Sequence, residues 1–256
     1  MKPRQNKLSN LLDESPESYY WLGFLLADGH FSNNNRLVLS ISRKDQDHLK
    51  CLLSFLNCDS EIRDHSFEWH DTEYNMSALS IMDTNSLSIL REKYKIESNK
   101  TKQPPNLHSL SEINKFCVMI GFIDGDGSVQ YQTGRTDCKI SVKCHSSWLD
   151  NLEFLFGNAR INSAGYAYHC TADNEIIRAW KRTALYLKLP IMHRKWDKIN
   201  TERVSKYKTA ENWQNKAEQL YRDGKSFKDI AILLNKKYTT VYQAMLRRNL
   251  INKENK

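Results

Sequence analysis

The chain has 256 residues, 40% of them hydrophobic, and a formal net charge of +8. Its length suggests one or two domains with a real apolar core, and its surplus of Lys and Arg over Asp and Glu favours polyanionic partners, although a solvated basic surface is the ordinary alternative. The longest apolar run, 19–27, is too short to cross a bilayer, and the basic start MKPRQNK has no hydrophobic segment behind it, so a soluble intracellular protein is expected, in the cytoplasm or an organelle matrix.

In chain order, Ser15-Pro16 reads as a helix N-cap followed by proline at the first helical position, opening a helix that runs to Asp28. Residues 37–42 alternate as a strand, with Leu37, Leu39 and Ile41 on one face and Val38, Ser40 and Ser42 on the other. A helix over about 45–56 follows, then strands within 61–82 broken by turn residues near Asp71, and a helix over 84–94. The order is helix, two strands, helix, two strands, helix. It recurs with a helix from Glu112, strands near 128–133 and 139–144, a helix over 147–156, strands around 164–171 and a helix over 174–187. Leu49, Leu52, Phe55 and Leu56 find counterparts in Leu149, Leu152, Leu155 and Phe156, as internal duplication requires.

Two segments carry the repeat most sharply: WLGFLLADG at 21–29 and MIGFIDGDG at 119–127, whose acids Asp28 and Asp126 stand 98 residues apart. Each is an apolar helix with small residues four apart, Gly23 with Ala27 and Gly121 with Gly125. Such a stripe lets two helix backbones approach more closely than leucine would allow. If the helices pack side by side, Asp28 and Asp126 emerge together, each followed by a glycine (Gly29, Gly127) suited to a left-handed helix stop. Both carboxylates then sit at negative helix ends and repel each other, which calls for a cation.

This doubled motif resembles the LAGLIDADG homing endonucleases in their single-chain, two-motif form, over roughly 8–200. The resemblance implies an α+β fold of two pseudo-symmetric αββαββα halves, 1–105 and 106–200, joined at the motif helices. Their two curved sheets would lie side by side as a saddle for duplex DNA. It implies a Mg²⁺-dependent endonuclease, with Mn²⁺ able to substitute. The ion would be held by Asp28 and Asp126 with backbone carbonyls at Ala27 and Gly125. Lysine-bearing segments close each half in this family, which assigns a catalytic role to Lys100 and Lys195, with Lys102 and Arg194 as close competitors and exposed or phosphate-contacting lysines as the alternative. The family often has a second acid two positions before the catalytic one. Here the second motif has Asp124 but the first has Leu26, so Asp124 is read as structural.

Strand alternation nominates the groove-facing residues. In 139–144, Ile140, Val142 and Cys144 point to the core while Lys139, Ser141 and Lys143 point away; Gln130, Gln132, Arg135, Ser40, Ser42, Arg43, Arg63 and His65 complete the set. Six cysteines show no CxxC pair or matched histidine spacing and are expected to be reduced core thiols, and the eight histidines form no ligand cluster.

After a polar connector (201–211), residues 212–256 show three short helical periods, at 213–222, 226–234 and 239–248. Ala217, Leu220, Ile230, Ala231, Leu234, Val241, Met245 and Leu246 form an apolar set. The pattern resembles a helix-turn-helix module whose third helix would present Thr239, Thr240, Tyr242, Gln243, Arg247 and Arg248 to a major groove. A three-helix packing element is the alternative reading. The expectation for the whole chain is a monomeric, site-specific nuclease of double-stranded DNA, of the kind that mobilises introns. The alternatives are an RNA maturase that assists splicing and a DNA-binding regulator that has kept the fold without cleavage. The ends lack the residues of a self-splicing intein, which favours a free-standing or intron-encoded protein.

Overall fold

The computed structural model describes residues 7–32, 34–131, 138–157, 159–199, 201 and 206–247, with side chains in the last stretch given for 213–245. The chain divides into two compact units after Thr201. The larger contains one arrangement twice. Helix α1 (Pro16–Asp28) is capped by Ser15, whose side chain accepts from the Ser18 amide, and begins with Pro16, where no helical hydrogen bond is lost. Strands β1 (Gly29–Ser32) and β2 (Arg36–Ser42), helix α2 (Gln46–Phe55), strands β3 (Ile62–Trp69) and β4 (Thr72–Met82) and helix α3 (Thr84–Tyr94) follow. The second copy runs through α4 (Glu112–Asp126), β5 (Gly127–Tyr131), β6 (Cys138–His145), α5 (Leu149–Phe156), β7 (Arg160–Ile161), β8 (Tyr166–Thr171) and α6 (Asn174–Tyr186), and ends in a single helical turn, α7 (His193–Trp196). Ser111 caps α4 on the Asn114 amide, as Ser15 caps α1.

Each copy forms a four-stranded antiparallel sheet with the same spatial order, β1-β2-β4-β3 and β5-β6-β8-β7. The expected alternation holds in both central strands. Leu37, Leu39 and Ile41 are buried in the first, Ile140, Val142 and Cys144 in the second. β3 and β4 are joined by His70 and Asp71, both with positive φ (48° and 56°), the two-residue turn whose twist matches a right-handed hairpin.

Past their first turns, and apart from Asp124, helices α1 and α4 are apolar on every side because every side is buried. Tyr20, Trp21, Leu22, Phe24 and Leu25 pack around one, and Val118, Met119, Ile120, Phe122 and Ile123 around the other. Their backbones touch. A Cβ on Gly23 would lie 1.8 Å from the Val118 carbonyl oxygen, and one on Gly121 would lie 1.9 Å from that of Tyr20.

Three expectations need correction. Gly29 and Gly127 are not left-handed: their backbones are extended (φ −77°, ψ 144° and φ −79°, ψ 151°), and a strand starts at each. What demands glycine there is room, since a Cβ would sit 2.5 Å from the Leu25 carbonyl oxygen and 2.4 Å from that of Ile123. The cysteines are free, but Cys51 and Cys170 are exposed, one on the solvent side of α2 and the other on the outer face of β8. The stretch read as a connector is helical from Lys206, since its polar residues are adequate helix formers without a breaker among them.

The smaller unit consists of α8 (Lys206–Arg222), α9 (Phe227–Leu233) and α10 (Tyr238–Arg247). Ala217, Ile230, Ala231, Val241, Ala244 and Met245 are its buried core, flanked by Trp213, Leu220, Tyr221, Phe227 and Leu234. Gly224 (φ 80°) and Asn235 (φ 47°) make the two turns. Among the described residues, no helix is long and apolar enough to cross a membrane.

Candidate functional site

Because the glycine stripes let α1 and α4 lie backbone to backbone, their C-termini end together. A Cβ on Gly125 would meet the Ala27 Cβ at 2.3 Å and Asp28 Oδ2 at 3.3 Å. Asp28 is half-buried there, and Asp126 lies at the exposed mouth. Desolvation, and then the neighbouring Asp126 charge, hold the Asp28 carboxyl up at about 6; desolvation also raises Asp126.

Lys100 and Lys195 both reach this place. The Lys100 ammonium donates to the carbonyls of Leu26 (2.5 Å) and Ala27 (2.9 Å) at the end of α1. The Lys195 ammonium, on α7, donates to Ile123 (3.0 Å), Asp124 (2.6 Å), Gly125 (3.1 Å) and Gly127 (2.7 Å) around the end of α4. Each lysine therefore neutralises a helix C-terminus, where carbonyls have no amide partners and the dipole is negative. Burial lowers both amines from their ordinary value, and the nearby carboxylates work against that. The coupling runs crosswise: of the two lysines, Lys195 acts more strongly on Asp28, and Lys100 on Asp126.

Asp124 does not face the site. It is buried, and its carboxylate accepts from the Tyr20 hydroxyl (2.7 Å), the Met192 amide (2.9 Å) and the Trp196 indole (2.6 Å). Burial pushes its carboxyl above the usual carboxylate range, and these three donors with Lys195 work against that. With the phenol hydrogen on Asp124, His48 Nε2 donates to the Tyr20 oxygen at 2.9 Å. Burial lowers His48 to about 4, so the ring is neutral near pH 7. Arg194 is turned away from the acids into a two-pronged pair with Asp45 (2.6 and 2.8 Å), and Lys102 is exposed.

The candidate DNA-facing residues divide by sheet. Strand register puts Ser40, Ser42, Arg63 and His65 on one outer face, together with Arg36, Phe67, Trp69, Tyr74 and Ser80, which the sequence reading missed. Phe67 stacks on Tyr74 (5.4 Å between centroids), and Trp69, at the hairpin end, is 62% exposed. Alternation along 63–69 was the available signal once His70-Asp71 is read as the hairpin turn. Arg43 and Arg63 are paired with Asp64 and Glu61. On the second sheet, Gln130, Lys139, Ser141 and Lys143 share the outer face, with Lys139 over the Tyr168 ring and Lys143 over that of Tyr166. Ser141 points outward but is buried, bonded to Tyr168, which covers it. On α10, Thr239, Thr240 and Gln243 are exposed, while Tyr242 is half-buried and stacked on Tyr238. Gln132, Arg135, Arg248 and the side chain of Arg247 lie outside the described residues.

The acids fit a hard divalent cation. The donors are carboxylate and carbonyl oxygens, and both acids stay raised, chiefly by burial, beside two ammonium groups, so a further positive charge there would favour their ionised forms. Among the described residues there is no cluster of three or more His, Cys, Asp or Glu, so a cation would complete its shell from carbonyls, water or a phosphate. The Ala27 and Gly125 carbonyls each already accept from a lysine, leaving one lone pair apiece.

No protein-family model matches the sequence, and no curated protein does. Solved structures do. The homing endonuclease I-WcaI bound to its DNA recognition sequence is 10% identical, with 79% of this chain covering 96% of that one at a TM-score of 0.50. The LAGLIDADG homing endonuclease I-GzeII in complex with its DNA target is 14% identical, over 94% of this chain and 99% of that one, at a TM-score of 0.44. Full-length DUF199/WhiA from Thermatoga maritima is 12% identical over 96% and 91%, also at 0.44. What the likeness to I-WcaI shares across nearly all of that chain is architecture, and this protein has the two-half fold of the LAGLIDADG homing endonucleases.

Proposed function

We propose that this chain is a monomeric, site-specific endonuclease that makes a divalent-metal-dependent double-strand break in DNA. One observation carries the reading. Two carboxylates from duplicated helices share one small site, and two lysines bring positive charge to the same place. Asp28 and Asp126 would hold Mg²⁺, or Mn²⁺ in its place, with the Ala27 and Gly125 carbonyls nearby. The ion would polarise the scissile phosphate and make a bound water more acidic. Lys100 and Lys195 supply fixed positive charge where a phosphate gains negative charge in the transition state. Because both are fastened to backbone, that charge needs no rearrangement when DNA arrives. The outer sheet faces, with Lys139, Lys143, Gln130, Ser40, Ser42, Arg63 and His65, would follow the major groove, into which a two-stranded ribbon fits. Residues 212–256 would extend the contact through Thr239, Thr240 and Gln243.

The test is cleavage of DNA from the gene's own genomic neighbourhood, with and without Mg²⁺, beside a gel-shift assay. Asp28→Asn and Asp126→Asn should each abolish double-strand cleavage while specific binding persists. Full cutting by either variant removes the proposal. Binding without cutting by the wild type would point to a DNA-binding regulator, and preference for structured RNA to a splicing cofactor. Deleting 212–256 should shorten the footprint on one side and weaken affinity without moving the cut.

A further inference from the structure

The one-turn helix that carries Lys195 cannot hold itself in place. Four residues make no stable helix in isolation, so the position of α7 is set by what grips it: Tyr131 on the Lys195 carbonyl, Lys181 on that of Trp196, the Arg194–Asp45 pair, and one carboxylate at its two ends. Asp124 grips both. Its Oδ2 accepts from the amide of Met192, the N-cap of α7, and its Oδ1 accepts from the indole of Trp196, its last residue. The same residue offers its main-chain carbonyl to the Lys195 ammonium at 2.6 Å. A third donor, Tyr20, comes from the motif helix of the opposite half and is held in turn by His48.

We propose that Asp124 is a positioning residue for Lys195: it fixes the turn that presents the ammonium to the end of α4, and through Tyr20 it ties that placement to the first half. Among the described residues the first half has no such carboxylate. Leu26 occupies the corresponding place and is buried among apolar side chains, and the segment bearing Lys100 is held through main chain alone, by amides 102 and 103 on the Asn99 carbonyl and by the Trp148 indole and Ser147 hydroxyl on the Thr101 carbonyl. The two lysines are therefore held by different means, and one of them depends on a carboxylate that never touches substrate. This deepens the endonuclease reading and rests on it where cleavage is concerned. The placement of Lys195 itself does not.

The experiment labels the intact folded protein with acetic anhydride and reads Lys100 and Lys195 separately by mass spectrometry. Lys195, 7% exposed, should be strongly protected in the wild type. In Asp124→Asn its labelling should rise about tenfold, because the amide's hydrogens confront donors it cannot accept from, while Lys100 changes by less than about twofold. Unchanged protection of Lys195, or equal loss at both lysines, overturns the proposal. Should Asp124→Asn not fold, Tyr20→Phe removes one donor and keeps the ring, Trp196→Phe removes another and leaves a smaller ring, and the same two outcomes decide. A second arm follows each strand of a cleaved duplex by end-labelling. Asp124→Asn should slow the same strand that Lys195→Ala slows, and equal slowing of both strands, or slowing of the Lys100→Ala strand, overturns it. A wild type that cuts no DNA defeats the endonuclease reading and leaves the labelling to decide on Asp124.

Discussion

At the end of α1 a half-buried lysine donates to two carbonyls; at the end of α4 a buried lysine donates to four, on a turn clamped by Asp124, Tyr20 and Trp196. The outer faces differ as well. On the first sheet's side Arg43 and Arg63 are paired with acids and the hairpin ends in exposed rings, whereas the second sheet sets lysines over tyrosines. What the halves share is the contact neither can alter alone, the glycine-lined backbone approach and the two acids it brings together. Duplication therefore preserves the joint and lets the surroundings diverge, which would suit the proposed reading of unlike stretches of one duplex by the two halves.

The largest expected effect breaks the joint. Gly23→Val and Gly121→Val each drive a branched side chain into main chain of the opposite helix, and neither helix can withdraw without opening the core. Each should cost about 4 kcal/mol or more and lose the cooperative melt of the larger unit by circular dichroism. If one is tolerated, the two halves are less equivalent at their joint than the geometry says.

Second in size is the strain stored at the acids. Asp28 is raised to about 6, so between its unfolded value near 4 and pH 6 the folded chain holds the extra proton, and stability falls as pH rises. Above pH 6 the ionised carboxylate costs about 3 kcal/mol. Asp28→Asn should recover most of that at pH 7.5 and nothing below pH 4. Calcium at millimolar concentration should raise the melting temperature of the wild type at pH 7.5, and should do less for Asp28→Asn. His48 works in the opposite direction: lowered to about 4, it contributes stability above its unfolded value, and this is lost as pH falls from 6.5 to 4. The wild type should show a flat stability profile across that window and Asp28→Asn a steep one. Parallel profiles would mean that burial and the Asp126 charge do not hold Asp28 up.

Much of this was legible in the sequence because it is local or periodic. The Ser15 cap, the paired motifs and the alternation in β2 and β6 can each be read within a few residues, whereas Lys100 and Lys195 were reached only through the family resemblance, beside Lys102 and Arg194. What escaped depends on residues far apart in the chain. Nothing near Asp124 announces that Tyr20 and Trp196 converge on it, and Arg194 could be set aside only once Asp45 was seen beside it. Gly29 and Gly127 were read as left-handed helix stops and are extended, because a helix-stop glycine and a glycine crowded by the preceding turn look alike in one dimension.

The smallest effect separates the two outer faces. A cation free to meet phosphate releases counterions on binding, whereas one already paired with a carboxylate must first exchange partners, and its net gain is smaller. Lys143 sits over a tyrosine ring, which leaves its charge uncancelled; Arg63 donates to Glu61 at 3.0 Å. Lys143→Ala should therefore reduce the slope of log affinity against log salt by about one. Arg63→Ala should move that slope distinctly less, and Glu61→Gln should steepen it by releasing the arginine. Titrations of one duplex at four or five salt concentrations are enough to read these slopes. Equal slopes for Lys143→Ala and Arg63→Ala would mean that DNA strips the first sheet of its ion pairs, and that the two faces present the same charge to the groove despite their different appearance in the free protein.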